Sequence, residues 1–193
     1  MKTKIILAML IAATFVGCRK EDETPAPKVY PEENPLSAYI QNSGFSQKTT
    51  NYINSGTYEF GYKFKPKVKG NINAVTFKIP DNATNVRVSI WNESTHVLVS
   101  TFTIPTVSAN VEVRNNITPL AVDPSIEYLI TYNGNDWYER KKTDGSSTVY
   151  PIDAGNILIT GYRWMSGAAQ AFPTSTANYY YAGDLSIVFQ QTE

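Results

Sequence analysis

Cysteine and histidine are nearly absent, with one of each in 193 residues. A disulfide framework is therefore excluded, and so is a zinc centre built from Cys and His, because both need several such side chains together. Charge of one sign is lacking as well: 17 Lys and Arg balance 17 Asp and Glu. With no basic field to hold a phosphate backbone, a nucleic-acid partner is ruled out. No apolar run is long enough to stay in a bilayer; Ile5 to Val16 is apolar or small throughout but stops well short of the about 20 residues a spanning helix needs. Internal repeats are missing too, which disfavours a propeller or a solenoid. What is present is aromatic, with 13 Tyr, 8 Phe and 3 Trp in a chain that is 42% hydrophobic. That composition belongs to a folded protein and not to a disordered one, and the length suits a single domain.

The short apolar run has a charged start, Lys2 and Lys4, and ends at Gly17-Cys18, as a secretory signal does. Phe15-Val16-Gly17-Cys18 resembles the bacterial lipobox, with Phe and Val where Leu and a small residue are commoner. The resemblance implies that Cys18 becomes the first mature residue and carries lipid on its thiol and amine. Acyl chains contribute about 0.8 kcal/mol per buried methylene, and more than one chain gives stable attachment. The following Arg19-Lys20-Glu21-Asp22-Glu23 is similar to the export tag of surface lipoproteins of the Bacteroidota. It implies an outer-membrane protein, anchored through Cys18 and facing the cell exterior. The chain then divides into a signal peptide at 1–17, the lipidated Cys with a tether rich in Pro and charge at 18–35, and one domain at 36–193. The tether composition is that of a semi-rigid spacer.

Leu36, Tyr39 and Ile40 share a face at helical spacing and predict one short helix ending near Ser43-Gly44. Beyond it the period is two. Tyr58, Phe60, Tyr62 and Phe64 alternate with Glu59, Lys63 and Lys65, so the aromatics are expected inward and the charges outward. Val75, Phe77 and Ile79, then Val86, Val88 and Ile90, repeat the pattern before turn residues. Further strands are expected over His96 to Ile104, Asn110 to Arg114, Ile126 to Tyr132, Asn156 to Trp164 and Leu185 to Phe189. Many short strands with no alternating helices predict an all-β fold, an antiparallel β-sandwich or jelly roll.

Four stretches together carry a resemblance: Gly56-Thr-Tyr-Glu-Phe-Gly-Tyr-Lys-Phe64, Gly70 to Ile79, Val88-Ser89-Ile90-Trp91, and Glu127-Tyr128-Leu129-Ile130-Thr131-Tyr132. With the ending from Phe172-Pro173-Thr174 through Asn178-Tyr179-Tyr180 to Asp184-Leu185-Ser186-Ile187-Val188-Phe189, they resemble the bacterial extracellular β-sandwich family known as domain of unknown function 4082. Ser108-Ala109-Asn110-Val111 stands where that family carries a Gly-Trp-Gln-like stretch. The resemblance implies the fold and an exterior location, and no activity.

Chemistry is sparsely marked. A Ser-His-Asp triad would need His96, which follows Thr95 at a turn and is expected to be an exposed turn residue. Glu127, Asp136, Glu139 and Asp184 could in principle pair for glycoside hydrolysis, but no spacing marks a pair. The chain is therefore expected not to be an enzyme, and no cofactor is implied. Asn133-Gly134-Asn135-Asp136 and Asp81-Asn82-Ala83-Thr84 are oxygen-rich enough to be weighed for calcium, yet lack EF-hand spacing and serve equally well as turns; no metal site is assigned. The densest segment is Asn133 to Arg140. Sugars present apolar C–H faces rimmed by hydroxyls, which flat aromatics with amides and charges at their edges can hold. Trp137 and Tyr138 are the expected platforms, with Asn135, Asp136 and Arg140 at the edges and Trp164 as a second platform. The competing reading is an Asn133-Gly134 hairpin that folds Trp137 and Tyr138 back onto the sandwich. Tyr162 and Trp164 at one strand end, and Tyr179, Tyr180 and Tyr181 before the last strand, put further aromatics near loops. The function expected is a monomeric surface module that binds polysaccharide, and the alternative is a structural or protein-interaction domain of the cell envelope with no small ligand.

Overall fold

Period-two alternation becomes sheet almost everywhere it occurs. The computed structural model describes residues 28–193; the signal peptide, Cys18 and the acidic tag lie outside the described residues. The elements in order are β1 (Glu32–Glu33), α1 (Leu36–Ser43), β2 (Lys48–Tyr52), β3 (Tyr58–Pro66), β4 (Gly70–Lys78), β5 (Ala83–Asn92) and β6 (Leu98–Val107). They continue as β7 (Val113–Val122), β8 (Tyr128–Gly134), β9 (Trp137–Lys141), β10 (Ile152–Ala154), β11 (Ile157–Ser166), β12 (Ser175–Thr176), β13 (Tyr181–Ala182) and β14 (Asp184–Gln191). All pairing is antiparallel. One sheet runs β1-β14-β4-β7, a larger one runs β10-β11-β3-β8-β5-β6 with β12 on β11, and a third runs β13-β9-β2. This is the expected all-β sandwich.

The inward residues of the two main sheets share one core. Ile72, Phe77, Leu185, Ile187 and Phe189 meet Phe60, Tyr62, Phe64, Ile130 and Tyr132, all buried. Phe77 packs edge-on to Tyr132 at 4.7 Å, and the Tyr62 hydroxyl crosses between sheets to accept the Ile187 N–H at 3.1 Å. The helix lies where its apolar face predicts. Asn34 Oδ1 takes the Leu36 N–H at 3.1 Å, and Gly44 ends the helix at φ +79°, a left-handed conformation that glycine adopts freely. Tyr39 is fully buried among Tyr62, Tyr181 and Phe45.

Three expectations change. The body begins at Glu32, inside the segment read as tether, because Glu32 and Glu33 pair with Gln190 and Phe189 and Glu33 accepts both the backbone and side-chain N–H of Asn156. The strand expected at Asn110 to Arg114 is β7, which starts only at Val113: Asn110 turns the chain at φ +62°. It runs on through Pro119, as an edge strand can. Glu59 does not face solvent but is fully buried, held by Arg87 at 2.9 Å and by the Thr131 hydroxyl at 2.6 Å.

Candidate functional site

The segment from Asn133 to Arg140 is built into the body. β8 ends at Gly134 in the large sheet and β9 belongs to the third, so Asn135 and Asp136 cross between sheets and no tight hairpin forms at Asn133-Gly134. Trp137 is 7% exposed, with its ring 4.9 Å from Phe60, 5.1 Å from Tyr52 and 5.4 Å from Tyr58. Tyr138 is 6% exposed and donates its hydroxyl to Asn110 Oδ1 at 2.6 Å. Neither presents a free face, so the platform expectation does not hold: Tyr52 of the paired strand β2 stacks on Trp137 with Tyr58 and Phe60 around it, and Lys78 and Arg140 lie over the Tyr138 ring. Asn135 donates to Asn54 Oδ1, and buried Asp136 takes the Asn54 N–H at 2.7 Å. Arg140 clasps Asp184 with two bonds of 2.7 and 2.6 Å, an arrangement that raises the guanidinium pKa. Trp164 is half-buried beside Tyr58 at 6.1 Å. These residues are framework. The four carboxylates weighed for hydrolysis are each engaged elsewhere: Glu127 faces Lys63, Glu139 faces Lys141, Asp184 faces Arg140 and Asp136 caps Asn54. Asp81 takes the Asn82 N–H, so that turn too spends its oxygen internally. Among the described residues, no group of three or more His, Cys, Asp or Glu is placed to hold a metal ion. His96 is exposed in its turn, as expected.

A better candidate lies at the edge of the large sheet. β10 pairs with β11 only as far as Ile159, and β12 pairs with it only from Arg163, so Thr160, Gly161 and Tyr162 have no strand on that edge. The register also shifts between Ile159 and Gly161. A cavity of about 320 Å³ opens there, lined by Tyr150 and Tyr179, Asn178, Lys63, Thr160 and Tyr162. At the floor Gly161 leaves room for the Lys63 side chain, whose Cε would lie 2.6 Å from a Cβ there.

The polar groups of this cavity are unusual. Tyr162 is 1% exposed, and its hydroxyl has no hydrogen-bond partner among the described residues; the same holds for the buried Thr160 Oγ1. A buried polar group left unpaired costs about 1–3 kcal/mol. Burial holds the Tyr162 hydroxyl well above its ordinary pKa, so it remains a neutral donor and acceptor. Tyr150, pushed up to about 12 by burial, shares a 2.6 Å hydrogen bond with Tyr39. Lys63 is balanced rather than free, at 3.6 Å from Glu93 and 3.7 Å from Glu127. Glu93 also takes two bonds from Arg163, at 3.0 and 2.5 Å. Lys63 is the one charged residue that lines the cavity, and its charge is answered by Glu93 and Glu127. The sequence signal for this site was the pair of aromatic groups around Tyr162 and Tyr179; the missing strand partner at Thr160–Tyr162 had none.

The profile of a family described as Domain of unknown function (DUF4082) matches residues 43–182. Comparison with curated proteins gives no match. The matched span runs from the end of α1 to β13 and takes in the whole edge cavity. The chain thus belongs to the DUF4082 family of domains of unknown function.

Proposed function

We propose that this chain is a non-catalytic binding module that takes a neutral, polyhydroxylated ligand, the end of a glycan, in the cavity beside β11. One observation carries the reading: Tyr162 and Thr160 both line the cavity, and among the described residues the buried hydroxyl of each has no partner. Sugar hydroxyls both donate and accept, which is what two orphan hydroxyls require. Tyr150 and Tyr179 supply aromatic surface and Asn178 a carboxamide, while the pairing of Lys63 with Glu93 and Glu127 favours an uncharged ligand. Tyr180 packs edge-on to Tyr162 at 5.4 Å, at the side of the cavity. The setting that fits is a monomer held to the outer membrane by lipid on Cys18, facing outward, where polysaccharide is met. Support for that setting is the signal-like run, Gly17-Cys18 and the acidic tag.

Tyr162→Phe tests the site. Removing an orphan hydroxyl relieves its burial cost, so the variant should be more stable by about 1–3 kcal/mol, read as a higher unfolding midpoint. On a glycan array it should lose the signal that the unaltered chain gives. A variant that binds undiminished, or a native chain that binds no glycan, would overturn the reading.

A further inference from the structure

The side of the large sheet turned away from the core forms a covered polar trough that shares only Lys63 with the cavity. Cross-strand pairing sets Gly61, Thr131, Ser89 and Thr101 in a row of small residues across β3, β8, β5 and β6. Glu59 and Asn133 face one another along one side, and Lys63, Leu129 and Trp91 form the other. A strap, residues 167–174, lies over the row. Asn133 donates to the Gly167 carbonyl at 3.0 Å and Arg87 to the Ala168 carbonyl at 3.1 Å. At the far end Phe172 stacks on His96 at 3.9 Å, meets Trp91 edge-on at 6.0 Å and sits under the Arg163 guanidinium. Between these fastenings, Ala168, Ala169 and Gln170 are exposed and bring little apolar surface to hold the strap down.

Gln170 alone reaches the floor, where Nε2 donates to Ser89 Oγ and to Thr101 Oγ1, both at 3.0 Å. What it covers is more polar than a strap needs. Arg87 Nε is buried and unpartnered among the described residues, and the fully buried Glu59 carboxyl takes the other end of the same guanidinium at 2.9 Å. We propose that this trough binds an extended neutral oligosaccharide and that Gln170 is its resident stand-in. Two neighbouring hydroxyls of a sugar ring can donate to Ser89 and Thr101 as the carboxamide does. With Phe172 withdrawn, Trp91 offers an aromatic face and Arg87 a free donor. From β3 to β6 there are three gaps of about 4.8 Å, room for several sugar units in line. The cavity is a separate site, sized for a chain end.

Calorimetric titration of the full chain with cellohexaose, laminarihexaose and xylohexaose tests this. Gln170→Ala, a change at an exposed position, should raise affinity for at least one of them about tenfold. Thr101→Val added to it should remove the gain. Glucose and xylose, which occupy only the cavity, should gain nothing, so a failure here is distinct from a failure of the cavity. The proposal is overturned if Gln170→Ala binds no hexasaccharide at millimolar concentration or gains nothing over the unaltered chain. It is equally overturned if the gain survives Thr101→Val, or if the strap peptide Ala-Ala-Gln-Ala-Phe binds more tightly than any of the three sugars.

Discussion

Trp137 touches Phe60, Tyr52 and Tyr58 within 5.4 Å, so cutting it to Ala leaves a hole that its neighbours cannot close. The expected loss is about 3–5 kcal/mol, read as a sharply lower urea midpoint; an unchanged midpoint would mean that the ring is not core. Arg140→Met strands Asp184, which is 5% exposed, without its two-pronged partner. That change should cost more than the roughly 1 kcal/mol of an ordinary surface pair, and Asp184→Asn added to it should recover part of the loss. Both residues had been expected to meet ligand. Their local chemistry, an aromatic pair among amides and charges, is the same in a binding loop and in a crossover between sheets. What separates the two is β2, and Lys48-Thr-Thr-Asn-Tyr52 has too few apolar residues to announce a strand. In the sequence Tyr162 reads only as an aromatic near a loop, because an unpartnered hydroxyl is a property of the space around it.

At the scale of elements, strands with a strong alternation were legible: β3, β4 and β5 follow from Tyr58, Val75 and Val86 onward, since one side of each is buried. The helix was legible for the same reason, with Leu36 and Tyr39 on one side and Gly44 at the stop. Gly44→Ala tests that stop. An alanine at φ +79° is strained, and its Cβ would stand 3.0 Å from Lys142 Cε, so a loss of about 1–2 kcal/mol is expected, measured by thermal unfolding. No loss would show that the turn relaxes elsewhere. The burial of Glu59 was not legible, since alternation tells which side of a strand a residue occupies and not what covers that side. The cover is the strap, which begins 108 residues further along and whose Gly167-Ala-Ala-Gln170 sequence has no pattern to read.

For the whole molecule, the abundance of tyrosine sets the response to alkali. Tyr39, Tyr132, Tyr162 and Tyr181 are fully buried, and burial lifts each hydroxyl well above its usual value near 10; Tyr62 is raised to about 12. Below pH 10 both folded and unfolded chains keep these protons. Above it the unfolded chain releases them and the folded chain does not, so the unfolded state binds fewer protons and stability falls as pH rises. Each tyrosine contributes about 1.4 kcal/mol per pH unit in that range. Unfolding free energy should therefore hold level from pH 7 to 9 and drop steeply by pH 11; a level curve to pH 11 would contradict the burial. Lipid attachment is tested on the same scale: palmitate should label the chain, and Cys18→Ser should remove the label. Fold class was legible in composition and alternation because a sandwich needs both throughout its length, whereas the edge cavity depends on where two short strands stop. The pairing of β1 with β14 also decides how the protein carries load. A pull on the segment preceding Glu32 reaches the sandwich through a two-residue ladder and a few side-chain bonds, among them Asn34 to Thr76 and Glu32 to Arg114. That ladder should peel first and reversibly, so that a pull from this end lengthens the chain by the segment ahead of α1 before any core strand feels tension.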